Sequence, residues 1–395
     1  MSTTTSTDQD RSAALEARAA VIAASGWGNR VSWLQPRNAC LWVYIVLVGY
    51  GLYYTVTVVR AEAPLYAPAL GLSAIIFAGY AIPFWWFTTR IDRYSRQPLS
   101  VAVAAFVYGG FAATWTIAVH GNTAIIGLYT KWFGESFAHD WGAGLAAPLF
   151  EELGKGSGVL LLLFIASSVI RTAYDGFIVG AFVGLGFEII EDILYALNSA
   201  PDGFGADQIG NSLHTIFLRL ATGFTSHIAY AAIFGAGIVF IVGTVAQRRR
   251  LGLGLALCAT SMALHFGWDS TVALSGGNGT AVAVMLVGLV VLALVAVVTV
   301  FHLTVGAERE AMRTVLTPEV ESGVLTEEEV DALAGSGRER RRYRRRGHGR
   351  RDRAQRHHRL EAGHDLADEL ARSGGHDSDR VLFARSELER LRHVS

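Results

Sequence analysis

Up to about Val305 the chain repeats one pattern: a long apolar run, then a short polar connection that often carries arginine. From Glu308 onward charged residues dominate and no run of that length recurs. Apolar runs of about 18–25 residues are long enough to cross the roughly 30 Å hydrocarbon core of a bilayer as helices. A helix also satisfies its own backbone polar groups where no water can. About eight spans are expected: Cys40–Val59, Leu70–Thr88, Leu99–Val119, Gly142–Ile170, Ala173–Leu197, Thr222–Ala246, Leu251–Leu274 and Thr280–Thr304. The predicted fold class is all-α, a polytopic transmembrane helical bundle followed by a charged cytoplasmic C-terminal tail.

Charge sets the expected orientation. Arg90, Arg93 and Arg96, then Arg171, then Arg248, Arg249 and Arg250 occupy connections that an eight-span topology puts on one side, together with Arg30, Arg37 and the basic tail. The positive-inside rule makes that side cytoplasmic, so both termini are expected there, in a multi-pass protein of the cell membrane. Three regions follow: a cytoplasmic segment 1–38, a transmembrane body 39–305, and an Arg-rich tail 306–395, partly disordered. The 51% hydrophobic content and mean hydropathy of +0.34 agree with the body, while equal totals of 34 basic and 34 acidic residues conceal the asymmetry. Met1–Gly26 lacks the basic, apolar and cleavage-site order of a signal peptide, leaving the first span as the insertion signal. Cys40 and Cys258 both lie in expected spans and suggest neither a disulfide framework nor a thiolate zinc site.

In the tail, Thr317-Pro318 and Thr326 with Glu329 read as helix starts, giving two short amphipathic helices. Arg338–Arg359 then holds twelve arginines and three histidines. Next to a cytoplasmic leaflet such a run is expected to meet anionic lipid, at roughly 1 kcal/mol per charge. No recognised fold surrounds it, which argues against nucleic acid.

Ionisable residues inside the apolar runs carry the chemistry. Such groups are expensive in a bilayer and mark reaction or transport paths. Glu151-Glu152-Leu153-Gly154-Lys155 lies in the fourth expected span, and its i,i+4 spacing predicts that Glu151 pairs with Lys155 while Glu152 faces another helix. In the fifth, Glu188, Glu191, Asp192 and Tyr195 share one face, Phe187 stands four residues before Glu191, and Gly180, Gly184 and Gly186 allow close helix approach. The sixth carries His227, preceded by Arg219 and followed by Tyr230; in the seventh, His265 and Asp269 stand at i,i+4, so that the carboxylate can orient the ring. Counting 1.5 Å per residue from the expected span ends puts Glu151, Glu191, His227 and His265 within about 6 Å of one another along the membrane normal.

At these residues the chain resembles the PrsW-type intramembrane proteases, relatives of the CAAX-processing and bacteriocin-immunity membrane proteases. Glu151-Glu152-x-x-Lys155, Phe187-x-x-x-Glu191 and His265-x-x-x-Asp269 match that family's motifs in order and spacing, and His227 and Asp175 fit the PrsW branch. The resemblance covers roughly residues 35–305. It implies peptide-bond hydrolysis, with a membrane-tethered substrate such as a single-pass anti-sigma factor, cut near the extracytoplasmic face.

The residues permit hydrolysis without a cofactor. A desolvated Glu151 carboxylate can act as general base, Glu152 with Lys155 can hold helix geometry and local charge, Glu191 can accept or relay a proton, and His227 and the Asp269-oriented His265 can position water or stabilise the oxyanion; spacing does not decide which group does which. The alternative is a Zn2+ site using His227, His265 and Glu191, against which stand the missing His-Glu-x-x-His sequence and the scatter of donors over several spans. A proton-coupled transporter would use the same residue types but usually shows paired halves, which this chain lacks.

Overall fold

The computed structural model describes residues 3–225 and 227–393, and among them only helices and turns occur. In chain order the helices are α1 (Thr3–Ser25), α2 (Ala39–Ile91), α3 (Leu99–Phe133), α4 (Glu135–Ile165), α5 (Ala173–Ser199), α6 (Gln208–Thr222) and α7 (His227–Val242). There follow α8 (Leu251–Asp269), α9 (Gly279–Glu321), α10 (Glu327–Ala334), α11 (Gly337–Arg345), α12 (Arg350–Arg372) and α13 (Asp379–His393). The chain divides into two compact units, one of residues 32–92 and 97–303, the other of 1–31, 93–96 and 304–395.

In the first unit, α2, α3, α8 and α9 are long and apolar enough to cross a membrane. α7 is apolar but only 16 residues long, and α4 and α5 carry the buried charges. Two expected spans merge in α2, whose helical path breaks at Tyr66 between Pro64 and Pro68. Proline removes a backbone donor and crowds the preceding turn, so the break falls where the chain must turn. Tyr44 Oη donates to Ala104 O and the Trp85 ring packs 5.9 Å from Phe106, so both arms of α2 reach the same level of α3.

α5 lies at the centre of this unit. Its glycines bring neighbours to backbone contact: a methyl at Gly184 would strike the His227 carbonyl of α7, and one at Gly186 the Phe106 carbonyl of α3. The start of α5 is closed by a capping box in which Thr172 and Asp175 satisfy each other's backbone N–H groups, which gives Asp175 a structural role. At that end Thr244 Oγ1 donates to the Arg171 carbonyl, so the connections bearing Arg171 and Arg248–Arg250 meet there. α4 begins seven residues earlier than expected, at Glu135, and α7 begins at His227, not at Thr222. His227, Glu191 and His265 therefore stand near those ends of α7, α5 and α8 that lie away from the arginine-bearing connections.

The second unit is a helical body with its own core, including Met312, Leu316, Leu333, Leu360, Leu366, Leu370, Val381 and Leu388. Thr326 and Glu329 form the expected capping box, but Thr317-Pro318 starts no helix, because α9 runs through it to Glu321. Where a partly disordered stretch was expected, α11, α12 and α13 are formed through His393. Two buried carboxylates tie the body together. Glu319 accepts from Arg18 (2.7 Å) and Arg385 (2.8 Å), and Glu329 accepts from Arg359 and from Tyr343 Oη (2.9 Å). Burial pushes the Glu329 carboxyl up, but the hydrogen bonds from Arg359 and the Thr326 backbone outweigh it and leave it below the usual carboxylate range.

Candidate active site

Four helices bring the intramembrane residues to one place. α4 supplies Glu151, Glu152 and Lys155, α5 supplies Glu188, Glu191 and Asp192, α7 supplies His227, and α8 supplies His265 and Asp269. Glu151, Glu191, His227, His265 and Asp269 line a cavity of about 230 Å³ together with Asn122, Tyr195, Arg219, Tyr230 and Trp268. The His227 and His265 rings meet edge to face, 5.1 Å between centroids.

Each imidazole is gripped on its outer side by a carboxylate. His265 Nδ1 donates to Glu152 Oε1 at 2.9 Å, and His227 Nε2 donates to Glu191 Oε2 at 2.8 Å. Glu152 also takes Lys155 Nζ at 2.6 Å and the Ser261 hydroxyl at 3.0 Å. The remaining ring nitrogens, His227 Nδ1 and His265 Nε2, point inward. There they face Glu151 Oε2 at 3.8 and 3.6 Å. Asn122 Nδ2 donates to the other oxygen of Glu151 at 3.0 Å, whereas Oε2 is buried with no hydrogen-bond partner. Buried carboxylate oxygens in folded proteins are nearly always satisfied, so this one requires an explanation.

Charge balance points the same way. Glu151, Glu152, Glu188, Glu191, Asp192 and Asp269 are six carboxyl groups, against two permanent cations, Lys155 and Arg219, among the described residues around them. Protons or a bound cation must offset the difference, since unpaired buried charge costs several kcal/mol. The donor atoms of Glu151, His227 and His265 lie within 4.8 Å of one another. A carboxylate with two imidazoles, each backed by a second carboxylate, fits a divalent transition metal.

The arrangement corrects the expected pairings. Lys155 does not take Glu151, the partner its i,i+4 spacing suggests, but pairs with Glu152, its expected partner in holding local charge; its Nζ also donates to His227 Nδ1 at 2.8 Å and sits 4.5 Å over the Phe187 ring. Turning Lys155 toward Glu152 leaves Glu151 free for the histidines. Glu191, expected among alternative metal donors, holds the outer face of His227 instead, and Glu151 is the third inward donor. Glu188 accepts the backbone N–H of His227 at 3.1 Å, which caps the start of α7. Tyr195 lies under the Arg219 guanidinium at 4.5 Å, and Asp269 stands 3.2 Å from His265 Nε2 as the i,i+4 spacing predicts.

Asn122 and Arg219 are functional candidates that no motif contains. Asn122 looks like the polar exit of a span, since the expected third span stops at Val119. Arg219 precedes a span; its extension into the cavity follows from α6 folding back on α5, which spacing does not reveal.

The family model described as "PrsW family intramembrane metalloprotease" matches residues 97–300. The chain is 26% identical over 164 residues to the protease PrsW of Geobacillus kaustophilus (strain HTA426), a match covering 42% of this chain and 63% of that relative. The chain thus spans less than two thirds of the length of the curated relative it matches. No solved structure matches it. Glu151, Glu152, Lys155, Glu191, His227 and His265 all lie inside the matched segment, Glu151, Glu191, His227 and His265 line one cavity, and this chain belongs to the PrsW family.

Proposed function

We propose that this chain is an intramembrane endopeptidase that hydrolyses peptide bonds of membrane-tethered proteins near the extracytoplasmic side. One observation carries the reading: the unpartnered Glu151 Oε2 faces two inward imidazole nitrogens inside a cavity. His227 Nδ1, His265 Nε2 and Glu151 Oε2 are the atoms that would hold Zn2+. When bound, the metal supplies Lewis acidity and a water that ionises near neutral pH. Glu152 and Glu191 fix the two rings, as outer carboxylates do for metal-binding histidines. Asp269, on the cavity wall beside His265, is placed to hold a proton from water and return it to the leaving amine.

A second reading needs no metal, and Lys155 favours it. Its ammonium already donates to His227 Nδ1, so that nitrogen has a partner. Glu151 then takes the proton of the attacking water directly, Glu191 relays it, and the imidazoles stabilise the oxyanion. Both readings need Glu151 and differ in their response to chelation.

The substrate belongs to the proposal as well: a single-pass regulator such as an anti-sigma factor fits the membrane-tethered class, by analogy alone. So do an eight-span topology with both termini cytoplasmic, kinship to the CAAX-processing proteases, and contact of the Arg-rich tail with anionic lipid. The test is a comparison of shortened or shed membrane proteins in cells carrying the native chain or Glu151→Gln at equal abundance. Fragments present only with the native chain support proteolysis; identical fragment sets in both cells refute it.

A further inference from the structure

Arg219 lies outside every motif, on the last turn of α6, yet it reaches the cavity wall. Its Nη2 donates to Glu191 Oε2 at 2.8 Å and its Nε donates to Asp192, while the guanidinium covers the Tyr195 ring. The Glu191 oxygen that Arg219 grips is the one that accepts from His227 Nε2. A planar guanidinium bound to two neighbouring carboxylates and stacked on an aromatic ring has little freedom, and the carboxylate it holds has little more. We propose that Arg219 is a positioning residue: by fixing Glu191 it sets the His227 ring so that Nδ1 points at Glu151.

The chain Arg219, Glu191, His227 has a counterpart on the other ring, where Lys155 grips Glu152 and Glu152 grips His265. Each imidazole is thus backed by a carboxylate, and each carboxylate by a cation. The family motif supplies the cation on one side only. On the His227 side it comes from α6, a helix whose Ile209, Leu213, Phe217 and Leu218 are exposed. α6 does not depend on Arg219 for its seat. Ser212 Oγ donates to Ala196 O at 2.8 Å, and the buried Ile216 packs in a cluster with Phe77, Leu185 and Ile189. Arg219→Gln should therefore fold, losing the charge and the fork but keeping the helix.

The inference rests on the reading of Glu151, His227 and His265 as a metal-holding centre, and its test separates the two. Zinc alone is the probe, with affinity measured by chelator competition on the full-length purified chain. Arg219→Gln is expected to weaken zinc binding by up to about 10–100-fold, the usual loss when the outer carboxylate of a metal-binding histidine is disturbed, because Arg219 acts through Glu191. Arg219→Lys should recover part of that loss. The deciding measurement is the cycle with Glu191→Gln. If Arg219 acts through Glu191, adding Arg219→Gln to Glu191→Gln should change affinity less than about threefold, because contacting residues couple. Additive losses, or an Arg219→Gln affinity within twofold of native, would overturn the proposal. If the native chain binds no zinc, the metal reading fails by itself. The same cycle read on kcat, with KM held apart, then decides the positioning role, and additive effects on kcat reject it.

Discussion

Two buried glutamates, Glu329 in the tail body and Glu151 among the intramembrane helices, show how differently one residue type is used. Glu329 accepts from Arg359, Tyr343 and the Thr326 backbone, so both of its oxygens are satisfied. Glu151 has one donor, Asn122, and its second oxygen faces imidazole nitrogens with none. Burial alone does not separate them, since both are almost fully enclosed. The difference lies in completeness: a satisfied buried charge locks helices together, whereas an unsatisfied one retains capacity for a proton, a water or a metal.

The largest expected effect follows from that contrast. Glu151→Gln and His265→Ala should each lower cleavage about 10²–10⁴-fold, the range for removing a positioned catalytic group. Membrane abundance should hold for Glu151→Gln, because a neutral amide eases burial. A variant retaining near-native turnover would take Glu151 out of the chemistry. In the tail the same residue type behaves in the opposite way. Glu329→Ala strands the buried Arg359, and removal of one partner from such a pair costs about 3–5 kcal/mol. Limited proteolysis of the full chain should then release tail fragments that the native chain resists; unchanged resistance would show that the pair does not hold the body together.

Much of the site was legible because ionisable residues are conspicuous within apolar runs. The three motifs, His227 and the Asp269 support of His265 were readable from position and helical spacing. Their partners were not. Two spacings, i,i+3 and i,i+4, offered Lys155 a carboxylate, and the neighbouring helix bearing His265 decided between them. The tail was harder to read for a different reason: Leu360, Leu366 and Leu370 of α12 are buried but lie so thinly among charges that no apolar face stands out along the sequence.

A smaller effect is expected at Asn122. Asn122→Ala removes a hydrogen bond to a charged group, worth about 1.5–3 kcal/mol, so cleavage should fall roughly 10–100-fold with abundance unchanged. A loss equal to that of Glu151→Gln would make Asn122 more than an orienting donor. The smallest effect concerns pH and His364 in the tail. Burial, with Arg340, Arg96 and Arg93 nearby, holds its imidazole well below the ordinary value, so it is neutral in the folded body. As pH falls through about 6.5, the unfolded chain takes up the proton that the folded one refuses, and tail stability declines. Tail proteolysis should therefore quicken between pH 7 and pH 5, and His364→Leu should flatten that rise; an unaltered rise would place the sensitivity elsewhere.

The central claim, that Glu151, His227 and His265 form a metal-holding hydrolytic centre, is tested most directly by metal content and activity measured on one purified preparation. The account predicts close to one equivalent of transition metal, loss of cleavage on chelation, recovery on adding Zn2+, and failure of Glu151→Gln to retain the ion. Full activity in a preparation exhaustively freed of metal would contradict it and leave Glu151 as the general base.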